Sequence, residues 1–237
     1  MAEYFALIKN KNILITGTSG GIGNYLAKNF LKNGNKVWGC SRKKNNIKHK
    51  NFFHKRFDLS DPKKLIYWTN RISKNKNFKI DILINNAAVY EKNLSFFHSK
   101  KNITDSYKIN CISPIILTNI ISKMMLKNKK GLIIFISSVA AILDEPGTSL
   151  YASSKAALES YARIIREEIS KFNVKVSIIR IQYIKTSLSK TVNKIKLSAL
   201  RKKFISNKIG SKEKIYSEIN KLYFKKKAPL LISDKLK

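Results

Sequence analysis

The segment Thr16-Gly17-Thr18-Ser19-Gly20-Gly21-Ile22-Gly23 has the composition of a phosphate cradle. It follows a short β-rich apolar run, Asn12 to Thr16 (NILIT), and opens residues with helical spacing from Ile22 to Leu31. A strand turning into a helix aims the first helical amides, and the positive end of the dipole, at the turn. Gly17 permits a tight turn, Gly21 lets the backbone approach a pyrophosphate, and Gly23 lets the helix pack on the sheet. Further on, Cys40-Ser41-Arg42-Lys43-Lys44 offers cations and a hydroxyl with no acid in reach. Arg42 can fork a phosphate and Ser41 can donate a hydrogen bond to one. A glycine-rich turn also occurs for packing alone, so the elements around it decide.

Those elements alternate strand, helix, strand, the pattern of a doubly wound parallel sheet flanked by helices. After the first strand and helix, strands are expected at Lys36–Cys40 and Asn51–Phe57. A helix follows from Pro62 to about Ser73, with Asp61 as its N-cap. The fourth strand is Ile80–Ile84, and a long helix runs from Thr104 to about Lys127 with a bend at Pro114. Leu132–Ser137 is a fully apolar strand, Ser149–Lys171 a long helix and Lys175–Ile181 the sixth strand. From Thr186 onward the pattern is helical and Lys-rich, with a last short strand at Leu230–Ser233. No linker or repeat divides residues 1–237, which read as one domain.

The charge is extreme: 48 Lys and Arg against 14 Asp and Glu, a formal +34. Only seven of the basic residues are Arg, and the lysines are spread along the whole chain. Specific nucleic-acid sites favour bidentate Arg, so the excess reads as compositional and no specific nucleic-acid partner is expected. With 43% hydrophobic residues the chain can bury a core. Cys40 and Cys111 cannot build a disulfide framework and point to a reducing compartment. The start lacks a signal-peptide pattern, and the best apolar run, Ile112–Met125, is interrupted by Ser, Pro, Asn and Lys. The expectation is a cytoplasmic protein without a membrane span. No metal site is expected.

The Gly-x-x-x-Gly-x-Gly spacing, with landmarks in order behind it, resembles the short-chain dehydrogenase/reductase family over most of the chain. Asp58 in Phe-Asp-Leu resembles the acid that holds the adenine amino group. Asn85-Asn86-Ala87-Ala88 resembles the Asn-Asn-Ala-Gly that ends the fourth strand, with Ala88 in place of the glycine. Asn110, Ser138, Tyr151 and Lys155 resemble the catalytic tetrad, inside Ser137-Ser138-Val139 and Tyr151-Ala-Ser-Ser-Lys155. The resemblance implies a Rossmann fold that holds a nicotinamide dinucleotide. Its binding residues would be Gly17, Ser19, Gly21, Ile22, Gly23, Ser41, Arg42, Asp58, Asn86, Ala87, Tyr151, Lys155 and Thr186.

Tyr151 and Lys155 are four apart on a helix and share one face. A phenol with an ordinary pKa near 10 is a poor base at neutral pH, and a nearby ammonium favours its ionised form. Tyr151 then serves as general acid/base. Ser138 would stabilise charge developing on the substrate oxygen. By resemblance, Lys155 also binds the nicotinamide ribose and Asn110 holds a water that links Lys155 to solvent. A Ser-Arg pair after the second strand goes with NADP(H) in this family, so NADP(H) is expected over NAD(H).

The chain also departs from the family. Ile181-Gln182 stands where Pro-Gly normally precedes Thr186, and the C-terminal part, residues 211–237, is short. The substrate lid falls at residues 186–210. The expected substrate is a small carbonyl or alcohol compound, with carrier-bound 3-oxoacyl thioesters a natural comparison at this length. In that subgroup an acidic carrier protein docks on basic residues near the active-site mouth, and Lys129, Lys130 and Lys171 fall in comparable places. The resemblance further implies a homodimer or homotetramer. Two alternatives stay open: a reductase of a sugar or other small carbonyl compound, and a cofactor-binding protein with weak or lost catalysis.

Overall fold

In a computed structural model, residues 6–73, 79–143, 145–182 and 210–232 are described. Strand β1 (Asn12–Thr16) leads through the glycine loop into helix α1 (Gly21–Lys32), then β2 (Lys36–Ser41), β3 (Phe52–Arg56), α2 (Pro62–Ser73) and β4 (Ile82–Asn85). Helix α3 (Lys100–Tyr107) continues through a π turn (Lys108–Ile112) into α4 (Ser113–Lys127). Then come β5 (Gly131–Ser138), α5 (Ser149–Ile169), β6 (Val174–Ile181), α6 (Lys212–Phe224) and β7 (Leu231–Ile232). All seven strands pair in parallel in the order β3-β2-β1-β4-β5-β6-β7. The order reverses between β1 and β4, and a crevice opens at such a switch point.

The central strands are apolar on both faces because helices cover both. Ile13 and Ile15 of β1, Ile82 and Ile84 of β4, and Ile134 of β5 pack with Leu26 and Phe30 of α1 and Ile215 and Ile219 of α6. The alternate residues Leu14, Leu83, Ile133 and Phe135 pack with Leu65 of α2, Leu117 and Ile121 of α4, and Leu158 and Ala162 of α5. The side-chain period of two along each strand therefore builds two cores, one on each face. Each fully buried Leu, Ile or Phe contributes about 1.5–3 kcal/mol of transfer free energy.

Among the described residues the expected elements agree to within a few residues, with three differences; of the helical pattern expected from Thr186 onward, residues 186–209 lie outside them. Helix α3 begins at Lys100, four residues before the expected start, because Ser99 and Asn102 form a reciprocal cap. Ser99 Oγ accepts from the Asn102 amide at 3.1 Å and Asn102 Oδ1 from the Ser99 amide at 3.2 Å. The irregularity near Pro114 is a π turn just before it; proline lacks the amide that would bond the Asn110 carbonyl. Finally, Lys100–Lys127 forms one helical run that by length and composition alone could cross a membrane. The sequence expectation of no such segment counted only an unbroken apolar stretch. Half of the run's most apolar window is buried inside the fold, where α4 sends Leu117, Ile121 and Met125 into the core.

Candidate active site

A cleft of about 730 Å³ lies at the carboxyl ends of the strands, across the β1/β4 switch. Of the residues singled out in the sequence, Gly17, Ser19, Gly21, Ile22, Ser41, Arg42, Asp58, Asn86, Ala87, Tyr151 and Lys155 line it. Gly23, Asn110 and Ser138 stand behind or beside that lining. Thr186 and all of the expected lid except Gly210 lie outside the described residues.

The glycine loop is shaped by what it must pass. Gly17 and Gly21 have φ of +77° and +56°, the left-handed region that glycine alone enters without strain. Gly23 faces the loop's own backbone more than the sheet: a Cβ there would meet the Gly17 carbonyl oxygen. Asn86 clamps the loop from β4, its Nδ2 donating to the Thr16 carbonyl at 2.7 Å. Thr16 Oγ1 returns the contact, accepting from the amides of Asn86 at 3.0 Å and Ala87 at 2.9 Å. Gly20 caps α1 without any side-chain hydrogen bond, and Ser19 to Ile22 line the cleft. A glycine-rich loop beneath uncapped helical amides fits a pyrophosphate.

Beyond β2, Arg42 and Lys43 line the cleft beside Asp58, whose Oδ1 accepts from the Ser60 amide at 2.9 Å. The Ser41 hydroxyl is already engaged. It donates to the Lys43 carbonyl at 3.0 Å and lies 2.7 Å from His54 Nε2. Ser41 thus holds the turn, while Arg42 and Lys43 supply the charge. Burial lowers the pKa of His54, favouring the neutral ring beside that hydroxyl.

On the other side of the cleft, α5 carries Tyr151 and Lys155 on its buried face. Lys155 Nζ donates to the Ile136 carbonyl of β5 at 2.9 Å and lies 5.8 Å from the centre of the Tyr151 ring. Burial pushes the Tyr151 phenol up to about 12, a hydrogen bond with Ser138 pulls it back, and Tyr90 adds to the rise. Burial also lowers Lys155 to about 8, opposed by the negative charge of Glu159 and by Cys111. The ammonium was expected to draw the phenol towards ionisation; in this cleft desolvation outweighs it. The raised pKa favours the neutral phenol.

Asn110 sits in the π turn, fully buried, and pins two elements at once. Its Oδ1 accepts from the Val89 amide at 2.8 Å, and its Nδ2 donates to the Val89 carbonyl at 2.9 Å and to Ser154 Oγ at 3.1 Å. Strand β6 runs on through Ile181, which pairs with Ser138. The residue in the usual proline position therefore extends the sheet beside Ser138. Lys129 and Lys130 precede β5 and Lys171 follows α5, so in the single chain all three lie at the edge opposite the cleft. Eight-residue β5 separates them from Ser138 by about 25 Å. They do not border the active-site mouth of this chain.

Several contributors carry no motif. Tyr90 sets its ring edge against Tyr151, with centroids 4.9 Å apart. Lys92 and Glu145 form a buried ion pair at 3.0 Å that ties the segment after β4 to the loop before α5. Gly39 was findable, since an isolated glycine in a strand marks a close approach. A Cβ there would lie 2.6 Å from Thr18 Oγ1.

Residues 11–196 match the family described as short chain dehydrogenase. The chain belongs to that family. It is 29% identical over 218 residues to the 3-oxoacyl-(acyl-carrier-protein) reductase of Buchnera aphidicola subsp. Schizaphis graminum, covering 90% of this chain and 89% of that one. It is 30% identical over 174 residues to the NADPH-dependent 1-acyldihydroxyacetone phosphate reductase of Saccharomyces cerevisiae, covering 70% of this chain and 58% of the relative. Among solved structures, 4-hydroxyisoleucine dehydrogenase complexed with NADH superposes with a TM-score of 0.83 at 26% identity, covering 94% of this chain and 97% of that one. The short-chain dehydrogenase fold and the cleft together mark an oxidoreductase with a nicotinamide dinucleotide cofactor.

Proposed function

We propose that this short-chain dehydrogenase is NADP(H)-dependent and reduces the carbonyl of a 3-oxoacyl thioester. The observation that carries the reading is the Tyr151 phenol, hydrogen-bonded to Ser138 and one helical turn from Lys155, at the wall of a cleft with a phosphate cradle. The bound cofactor supplies the hydride. Ser138 polarises the substrate oxygen, and Tyr151 delivers the proton that the reduced oxygen takes up. Lys155 holds the cofactor ribose, and its ammonium stabilises the Tyr151 phenolate left when that proton is given up. Asn110 anchors α5 and the water that would resupply the proton, through a carbonyl to which Pro114 cannot donate. Arg42, with Lys43 beside it, forks the 2′-phosphate, and Cys40 to Lys44 carries no acid to repel it; Asp58 on the same rim is left for the adenine amino group.

Similarity to the Buchnera reductase over nine-tenths of the chain supports the acyl substrate. The distance of Lys129, Lys130 and Lys171 from the cleft removes the expected docking patch from the single chain, so the thioester is the firmer half of the reading. Exposed Ile103, Ile112 and Ile164 on the α3–α5 side support a homo-oligomer, and the cysteine usage a cytoplasmic site.

The test is a screen of NADPH oxidation over 3-oxoacyl thioesters, sugar ketones and simple ketones, beside NADPH and NADH titrations of wild type and Arg42→Ala. The reading expects thioester turnover and a loss of NADPH affinity of about tenfold or more in the variant, with NADH affinity unchanged. Tighter NADH binding by the wild type overturns the NADP(H) assignment. Turnover confined to small ketones overturns the thioester.

A further inference from the structure

Glu159 lies one turn beyond Lys155 on the same buried face of α5 and is 2% exposed. Across from it, in β6, Arg180 bonds it with both arms of the guanidinium: Nε to Oε1 at 3.0 Å and Nη2 to Oε2 at 2.5 Å. The Arg180 side chain is itself 9% exposed. Arg180 pairs with Ser137 in the sheet, one residue before Ile181 meets Ser138. The fork therefore joins the tyrosine-lysine helix to the sheet directly beside the catalytic serine, where Ile181-Gln182 has replaced the stiff Pro-Gly turn.

Building on the oxidoreductase reading, we propose that Glu159 and Arg180 are a positioning pair with two separable jobs. The fork fixes α5 against β6, and the Glu159 carboxylate is the countercharge of Lys155.

The surroundings of Lys155 leave few other groups for the second job. On its own helix it faces Tyr151 and Glu159, from the π turn Cys111, and from β5 the Ile136 carbonyl. Arg180 of β6 reaches this group through Glu159, as does Arg163 at 3.9 Å, with a side chain half exposed. Among these, Glu159 is the carboxylate that opposes the burial of Lys155. A purely structural ion pair has no need to place its acid, rather than its base, on the lysine helix.

Reversing the pair separates the two jobs. Competitive labelling with trace acetic anhydride across pH, read at the Lys155 peptide by mass spectrometry, follows this one amine without any turnover assay. The wild-type midpoint is expected near 8. Glu159→Gln and Arg180→Met should each lower the melting temperature by about 10 °C, since each strands a buried partner. The reciprocal variant Glu159→Arg/Arg180→Glu restores the fork and most of the melting temperature. It also puts a cation one turn from Lys155, so the labelling midpoint falls by about one pH unit. The apolar double variant Glu159→Leu/Arg180→Leu folds without either charge, and its midpoint falls as well. A wild-type midpoint in either double variant overturns the countercharge role. Wild-type melting in both single variants overturns the brace. Because labelling needs no substrate, these outcomes stand whether or not the thioester screen succeeds.

Discussion

Gly23 packs so closely on Gly17 that a Cβ at residue 23 would lie 2.3 Å from the Gly17 carbonyl oxygen and 2.6 Å from Asn86 Nδ2. Neither neighbour can give way cheaply. One is backbone in a loop with φ fixed at +77°, and the other is held by its bond to Thr16.

Gly23→Ala should therefore destabilise the protein by about 1–3 kcal/mol and weaken dinucleotide binding at least tenfold. Gly34→Ala is the control: its nearest neighbour is 3.8 Å away, so only the cost of φ +77°, about 1 kcal/mol, applies. Chemical denaturation and a fluorescence titration with dinucleotide measure both. Wild-type binding by Gly23→Ala would refute the close-packing account of the loop.

Tyr151→Phe keeps the ring against Tyr90 and removes only the hydroxyl that meets Ser138. Turnover should fall by about 10²–10⁴ while dinucleotide affinity stays within a few-fold of wild type. A variant that still turns substrate over at the wild-type rate would show that the proton comes from elsewhere.

Lys155 links the cleft to stability through its pKa, lowered from 10.5 to about 8 by burial. Below pH 8 both folded and unfolded chains hold the proton, and the folded state carries the cost of a buried charge. Between about 8 and 10.5 the folded chain has shed the proton and the unfolded chain keeps it, so this lysine's contribution to stability rises with pH. In Lys155→Met the dependence is absent. The stability difference between wild type and Lys155→Met should thus move in favour of wild type across pH 8 to 10.5, as urea denaturation at fixed pH would show. A difference that stays flat over this range would sink the assignment.

How far the sequence reaches is plain from these residues. The strands are legible because β1, β4 and β5 are apolar on both faces, and α2 is legible to the residue because Asp61 and Pro62 mark its start. The glycine loop is legible because its spacing is local. Tyr151 and Lys155 share one face because they stand four apart on a helix, whereas Asn110 and Ser138, far apart in the chain, stand out by resemblance alone. Glu159 and Arg180 are not legible: each reads as one more charge, and their meeting depends on how α5 crosses β6, twenty-one residues away. The engagement of Ser41 likewise depends on His54, brought beside it by β3. The opposite-edge position of Lys129 and Lys130, by contrast, follows from the sequence alone. Residues that precede a strand of a parallel sheet lie at the edge away from the crevice.

The Lys92–Glu145 pair shows how much a cross-loop contact depends on burial. Its side chains are 3% and 13% exposed, against 83% and 33% for the Lys101–Asp105 pair on α3. Around it, the Asn93 amide donates to the Gly147 carbonyl at 3.0 Å, and both the amide and the hydroxyl of Thr148 donate to the Glu145 carbonyl. Thr148 is the N-cap residue of α5, so the strap reaches the helix that carries Tyr151 and Lys155. Lys92→Met should cost about 2 kcal/mol, since it removes a charged hydrogen bond from a site with little water. Lys101→Met should cost less than about 0.5 kcal/mol. If the strap also sets the start of α5, Lys92→Met lowers kcat more than it raises the KM for NADPH, and Lys92→Arg restores much of the loss. Equal effects of Lys92→Met and Lys101→Met on stability and kcat would reduce the strap to an ordinary surface pair.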